Sequence, residues 1–497
     1  MRATGVLANM GFLRKFLAAS FAALSVFFAL KAMLGKKPEA TNATNSANWG
    51  NFSEANEKDM PVFFRTENIG DIDDTSKQII SENFVSTTID EFGADYRALQ
   101  CAAKNGGLND NLAYGVLTPK MLPIFLSGRL GGYDTFFAPS LKTALSGTLN
   151  AYKTNKKHFD KLPKRIFFDR NFTELSPFKD DSTALFSFFM SGQTSGKYQA
   201  AVLANAAKAA FRTAVLDASN PFCTQSALLA KSQLLNGFVL KSENFIEHAQ
   251  YALAIGEFAI LFNSQPARDM FMRFAERCSS FIDETGVFTP PESKNLVAEN
   301  ALALSVQATA YKLGGGEKYA NFVKTLSRNI SQKCQFNSLK TNFSSKTFAG
   351  ANEYALCARA LTDAAIALKS KELLQDALKV LDKGDTLFLS NNALWLELSE
   401  KSPLYKVLNA YICTDSTTPS TNGLLRQVLA DIKRLSGGDA YAERLAKTQF
   451  LCRQDFFGKS RNSDFSAMLS QYPNPLGLNR LVMPPESAVV SVSNFEK

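Results

Sequence analysis

Between residues 242 and 381 the chain repeats one pattern three times: an apolar helix rich in small residues, a short break, then an amphipathic helix. The first members span 245–262, 296–313 and 349–368. In the second of these Ala301, Leu302, Ala303, Leu304, Val306, Ala308 and Ala310 point nearly all round the helix, so it must be covered on most sides. Each partner instead carries one apolar stripe: Met270, Phe271, Phe274, Cys278 and Phe281; Tyr319, Phe322, Val323, Leu326 and Ile330; Leu373, Leu374, Ala377, Leu378 and Leu381. Spacings of three and four residues place each stripe on one side, with charged residues left for water.

Inner helices alternating with outer ones, at a repeat of roughly 50 to 55 residues, exceed the tetratricopeptide and HEAT periods. The pattern predicts a closed α/α toroid of helical hairpins, with a long-armed solenoid as the open alternative. In front of it, from 57 to 160, strands at 61–64, 84–90, 113–118 and 123–126 alternate with helices at 73–82, 94–104 and 139–157, the order of a small α/β sandwich. The expected fold is therefore multidomain, α/β followed by α. Its segments are a leader (1–37), a linker (38–56), the α/β domain (57–160), the toroid (161–385) and a distal segment (386–497). The distal segment is expected to hold strands at 386–390 and 407–413, helices at 423–435 and 441–451, and beyond 456 a polar tail that meanders over the surface or frays.

The excess of Lys and Arg over Asp and Glu is nine, but Arg2, Arg14, Lys15, Lys31, Lys36 and Lys37 account for most of it within a leader that contains no acid. The basic balance thus describes the leader and not a nucleic-acid surface. Residues 16–30 carry no charge, which fits an uncleaved signal anchor or the apolar core of a cleaved signal peptide. The first places the globular part outside the cytoplasm and tethered to a membrane; the second secretes it. Seven cysteines without a C-x-x-C pair give no disulfide framework, and two histidines, His158 and His248, cannot build a metal site alone. No cofactor is expected.

The segments Pro61-Val62-Phe63-Phe64, Ser81-Glu82-Asn83-Phe84-Val85, Ile89-Asp90-Glu91 and Leu117-Thr118-Pro119, followed by helical hairpins, resemble the thioredoxin-fused α/α-toroid family that includes the spermatogenesis-associated thioredoxin-like proteins. The resemblance implies a thioredoxin-like front domain and a six-hairpin, glycosidase-like helical domain. That family's C-H-W-C segment has no counterpart here, and its Trp-Pro before the third strand falls on Asn111 and Leu112. Thiol exchange needs a nucleophilic thiolate and a second thiol to resolve it. The front domain is therefore expected to be non-redox, with Cys101 in a core.

Helical motifs of the family are altered too: T-S-W-N-G becomes Thr194-Ser195-Gly196-Lys197-Tyr198, D-D-Y-A becomes Ala249-Gln250-Tyr251-Ala252, and P-S-G-N becomes Val297-Ala298-Glu299-Asn300. What remains polar at the inner-helix starts is Glu243, Glu247, His248, Tyr251, Glu299, Asn300, Asn352 and Glu353, with Thr194 and Ser195 at the first. These are the candidate cavity residues. Glu299 and Glu353 are the candidate acid and base, since glycosidic chemistry needs two carboxylates facing one substrate. Acids in a first helical turn also complement the helix dipole and cap free amides. The reading leans toward a non-catalytic, membrane-tethered binder of a protein or glycan, with a carbohydrate-active enzyme and a structural helical scaffold as alternatives.

Overall fold

The computed structural model describes residues 55–477 apart from 56, 67–68, 70, 90, 92, 106–107, 109–110, 137, 160–165, 168–180, 193–199, 240–243, 291–295, 336–348, 391–392, 401, 410, 413–414, 416–417, 437–440 and 452–464. The chain divides into two compact units, one formed by 1–168 with 400–410 and the other by 169–399 with 411–497.

In the first unit β1 (Val62–Thr66), α1 (Asp74–Asn83), β2 (Val85–Ile89), α2 (Ala94–Asn105), β3 (Tyr114–Leu117), β4 (Pro123–Ser127) and α3 (Leu141–Phe159) follow one another in the expected order. The sheet order is β2-β1-β3-β4, with β1 and β2 parallel and β3 and β4 antiparallel to their neighbours. Strand alternation sends Phe63 into a core with Ile80, Phe84, Tyr114, Val116, Leu141 and Leu145. Phe64, the next residue, is fully buried outside that cluster, and a Cβ at its register partner Gly115 would lie 2.3 Å from the Phe64 ring. Asp73 caps α1 by accepting from the Ser76 amide at 2.9 Å. A two-residue parallel pair, β5 (Ile166–Phe167) with β6 (Leu408–Asn409), ties a late segment of the chain to this unit.

The second unit contains α4 (Asp181–Gly192), α5 (Ala200–Leu216), α6 (Pro221–Val239), α7 (Phe245–Phe262), α8 (Gln265–Ser279), α9 (Leu296–Lys312), α10 (Glu317–Gln335), α11 (Ala351–Leu368), α12 (Lys371–Phe388), α13 (Thr421–Ser436), α14 (Ala442–Leu451) and α15 (Phe465–Leu469). Helix α5 packs on α7, α7 on α9, α9 on α11, α11 on α13, α13 on α15, and α15 back on α5. That circuit is a closed ring, so the toroid holds and the open solenoid does not. Helices α6, α8, α10, α12 and α14 each pack outside the inner helix they follow, while Phe188 of α4 meets Phe465 of α15 at 4.7 Å.

The layering follows from composition. Every residue of α9 from Leu296 to Ala310 is buried, and alanine on the inner helices lets their axes approach. The outer helices bury one stripe, as Ala377, Val380 and Leu381 show on α12. Hairpin turns are set locally: Asn263 and Lys369 end their helices in left-handed geometry, and Ser264 and Ser370 cap the next ones.

Three expectations for the distal segment fail. Residues 386–388 continue α12 because Phe388 extends the stripe of Ala377, Leu381 and Gly384 at helical spacing; only Leu389 forms a bridge, to Trp395. The strand expected at 407–413 shortens to β6. Within the polar tail the described residues 465–477 do not meander over the surface: Phe465, Ala467, Met468 and Leu469 are buried as the sixth inner helix, and 386–497 contributes residues to both units. A five-residue apolar window is too short to show a period.

Trp395 is fully buried against Gly384 and donates its Nε1 to Asp385 at 2.6 Å. A Cβ at 384 would lie 2.3 Å from the indole Cη2, inside contact distance. Gly384→Ala is therefore expected to destabilise the ring by about 1–3 kcal/mol despite alanine's better helix propensity, read as a lower denaturation midpoint with unchanged slope.

Candidate functional site: the axis of the helical ring

The inner helices carry ionisable residues at matching heights. Counting from the first residue of each helix, Arg212, Glu257 and Asp363 stand twelve positions into α5, α7 and α11, and Lys208 and Arg359 stand eight positions into α5 and α11. All five line one axial cavity of about 70 Å³. One layer above them, five positions into α5 and α7, Asn205 and Gln250 line the same space. At about 1.5 Å per residue this floor lies roughly 7 Å or more below the helix N-termini.

The charges are paired across helix boundaries. Arg212 Nε and Nη2 donate to the two Glu257 oxygens at 2.6 and 2.9 Å, and its Nη1 donates to the Leu469 carbonyl at 3.3 Å. One guanidinium thus joins α5, α7 and α15. Arg359 donates to Asp431 at 2.7 Å and to Asp363. Asp363 also accepts from Ser305 at 3.0 Å and Asn474 at 2.9 Å, and Arg434 links Asp431 (2.8 Å) to the Ser470 carbonyl (2.8 Å). Burial opposes the charge of Arg359, but Asp363 and Asp431 outweigh it and hold the guanidinium above its ordinary value.

Two donors on the cavity wall have no acceptor. Gln250 is 1 % exposed and its Nε2 makes no hydrogen bond. Lys208 makes no hydrogen bond to any described residue; burial pulls its ammonium down to about 8, Glu257 opposing this and Arg212 adding to it. Lining the cavity are three cationic side chains, Lys208, Arg212 and Arg359, against two carboxylates, Glu257 and Asp363. Arg212 is paired with Glu257 and Arg359 with Asp363 and Asp431, so Lys208 is the lining cation without an ion pair among the described residues, beside one unmatched amide donor.

Asp415, fully buried, fastens α15 to the ring. Its Oδ1 accepts from the Ser420 amide at 2.8 Å, its Oδ2 from the Ser466 amide at 2.9 Å, and Asn205 donates to the Ser466 hydroxyl at 2.8 Å. Burial raises the Asp415 carboxyl to about 6 in spite of the hydrogen bonds from Ser466 and Ser420. A carboxyl whose folded pKa lies above its unfolded value binds its proton more tightly in the folded state. This group's contribution therefore improves as pH falls from above 6 toward the unfolded value near 4 and is lost as pH rises through 6. Thermal melts between pH 4.5 and 7.5 are expected to show this slope in the difference between wild type and Asp415→Asn, which cannot take up the proton.

The described residues singled out at the inner-helix starts do not line the axial cavity. Glu353 is fully buried and accepts from the Gly350 amide at 2.8 Å, so it caps α11. Glu299 is buried in the first turn of α9, and neither acid lines the axial cavity. Asn300 clamps the approach to α9, accepting from the Phe288 amide at 2.8 Å and donating to the Phe288 and Leu296 carbonyls. Asn352 donates to the Pro419 carbonyl at 2.9 Å and to Thr421. His248 lies 6.0 Å from the Phe274 ring of the outer helix α8, in the hairpin interface. Tyr251 is buried, and burial followed by the nearby Glu247 pushes its phenol up to about 12. Thr194, Ser195, Glu243, the leader and the linker lie outside the described residues. Among the described residues no helix is long and apolar enough to cross a membrane.

Reasoning from motif positions missed Lys208, Arg212, Glu257, Arg359 and Asp363. The available signal was an ionisable residue on a helix with no polar face: such a group has no route to bulk water and must be paired inside.

No family model matches the sequence. No curated protein matches it either. Solved structures with some likeness include a sugar epimerase from a ruminal bacterium (12% identity, 51% of this chain and 75% of that one, TM-score 0.39). Others are the cellobiose 2-epimerase from Spirochaeta thermophila (10%, 65% and 100%, 0.41) and the GH76A α-1,6-mannanase from Salegentibacter sp. HEL1_6 (10%, 59% and 96%, 0.43). These neighbours are α/α toroid proteins of the six-hairpin glycosidase-like kind, and at such scores the likeness carries nothing about activity.

Proposed function

We propose that the helical ring is a receptor for a small polyhydroxy acid of the sugar-acid class, held in the axial cavity by its anionic group. The observation that carries this reading is one cavity wall on which the buried Gln250 Nε2 has no acceptor and the half-buried Lys208 has no ion pair among the described residues. A buried donor without an acceptor costs about 1–3 kcal/mol, a cost that an acceptor-rich ligand removes. Asn205 and Ser305 line the same space; with donors of each already directed to Ser466 and Asp363, they offer oxygen acceptors to hydroxyl groups of a ligand.

Calorimetric titration with glycerate, a three-carbon hydroxy acid suited to the small cavity, against neutral glycerol tests the reading. Glycerate is expected to bind and glycerol to bind at least tenfold more weakly; Lys208→Met is expected to lower glycerate affinity by a factor of ten or more, about 1.4 kcal/mol. Equal binding of the two compounds, or no loss in Lys208→Met, would sink it.

The front unit is part of the same proposal as a thioredoxin-type domain without redox chemistry. Its strand order, with the first two strands parallel and the next two antiparallel, supports the fold. Cys101 is the single cysteine between residues 1 and 168, which supports the absence of thiol exchange. Residues 16–30 are proposed to tether the chain to a membrane, with secretion after cleavage as the outcome that fractionation of the full chain would reveal.

A further inference from the structure

Resting on the receptor reading, we propose that Lys208 forms an imine with the carbonyl carbon of a 2-oxo acid bound in the axial cavity. Such a ligand carries a carboxylate and a carbonyl on adjacent carbons, one for each of the two unmatched groups. The Gln250 amide donates to the carboxylate while the Lys208 amine meets the carbonyl.

Three features of the cavity support the step. The amine lines the cavity and makes no hydrogen bond to any described residue, so its lone pair is not engaged by a neighbouring donor or held as a salt bridge. The charge it would otherwise carry is disfavoured by burial and by Arg212 and Arg359, against Glu257 and Asp363, so neutral amine is present near pH 8. The two carboxylates that line the same wall, Glu257 and Asp363, are each held by an arginine and not by Lys208, which leaves the amine available to a ligand.

The chemistry balances without an added reactant. The nitrogen lone pair forms the N–C bond, the carbonyl π pair moves to oxygen, and one amine proton neutralises it to a carbinolamine. Loss of the second amine proton forms the C=N bond and expels the hydroxyl group, protonated, as water.

The test uses the full chain with pyruvate and sodium cyanoborohydride at pH 8, followed by peptide mass mapping. The expected result is an adduct confined to Lys208, slowed by excess lactate, which has the acid without the carbonyl, and lost in Lys208→Arg. A circular-dichroism melt of Lys208→Arg within a few degrees of wild type shows that the loss is not unfolding. If lactate binds by calorimetry and no adduct forms at Lys208, the imine is overturned and the receptor stands. An adduct spread over surface lysines at the rate seen in urea-unfolded chain overturns it equally. If neither lactate nor pyruvate binds and no adduct forms, the imine falls, and the receptor falls with it when the polyhydroxy acid also fails to bind.

Discussion

A chain ended before Phe465 is expected to lose the cooperative unfolding transition of the helical ring. Phe465, Met468 and Leu469 are buried to 2 % exposure or less, and each such side chain contributes about 1.5–3 kcal/mol of burial. The same truncation removes the Leu469 carbonyl from Arg212, the Ser470 carbonyl from Arg434 and the Asn474 amide from Asp363. Each buried group left short of a partner costs a further ~1–3 kcal/mol. The sum is comparable to the whole stability of a typical domain, about 5–15 kcal/mol. Differential scanning calorimetry decides: a ring transition with an unchanged midpoint in the shortened chain would show that α15 is decoration and not the closing element.

Arg212→Met is expected to cost about 3–5 kcal/mol, because it leaves Glu257 as a buried charge with its bidentate partner removed. Both side chains are under a tenth exposed, so water cannot take over. The informative comparison is the double variant Arg212→Met with Glu257→Leu. Deleting both charges removes the desolvation penalty together with the attraction, so the pair of substitutions is expected to recover most of the loss. A double variant as unstable as the single one would mean that the arginine acts chiefly through the Leu469 carbonyl. The two experiments separate the contribution of the ion pair from that of ring closure.

Both predictions concern residues that motif reading passed over, and the reason is physical. Helix α9 announces itself as an inner helix because its apolar residues leave no face for water, and the stripe on α12 announces an outer one. Those are local properties of one segment, legible wherever a period of 3.6 runs for several turns. Glu299 and Glu353 stood as a candidate acid and base beside the helix-cap reading because they occupy helix starts, where an active-site mouth and a helix cap make identical demands on sequence. Glu353 accepts from the Gly350 amide three residues before it, the contact a cap makes. Conversely Lys208 and Arg359 looked incidental, since nothing in the chain says that positions 151 residues apart share one wall.

Sequence alone therefore determined the hairpin unit, the layering of small-residue helices inside amphipathic ones, the order of strands and helices in the front unit, and the lack of a second thiol there. Each rests on periodicity or on the presence of an atom. Tertiary structure decided that the ring closes, that a short helix near the C-terminus closes it, and that the axis is held by arginine-carboxylate pairs with one amine left over. Closure and pairing depend on which helices become neighbours, and a buried charge finds its partner in space and not along the chain.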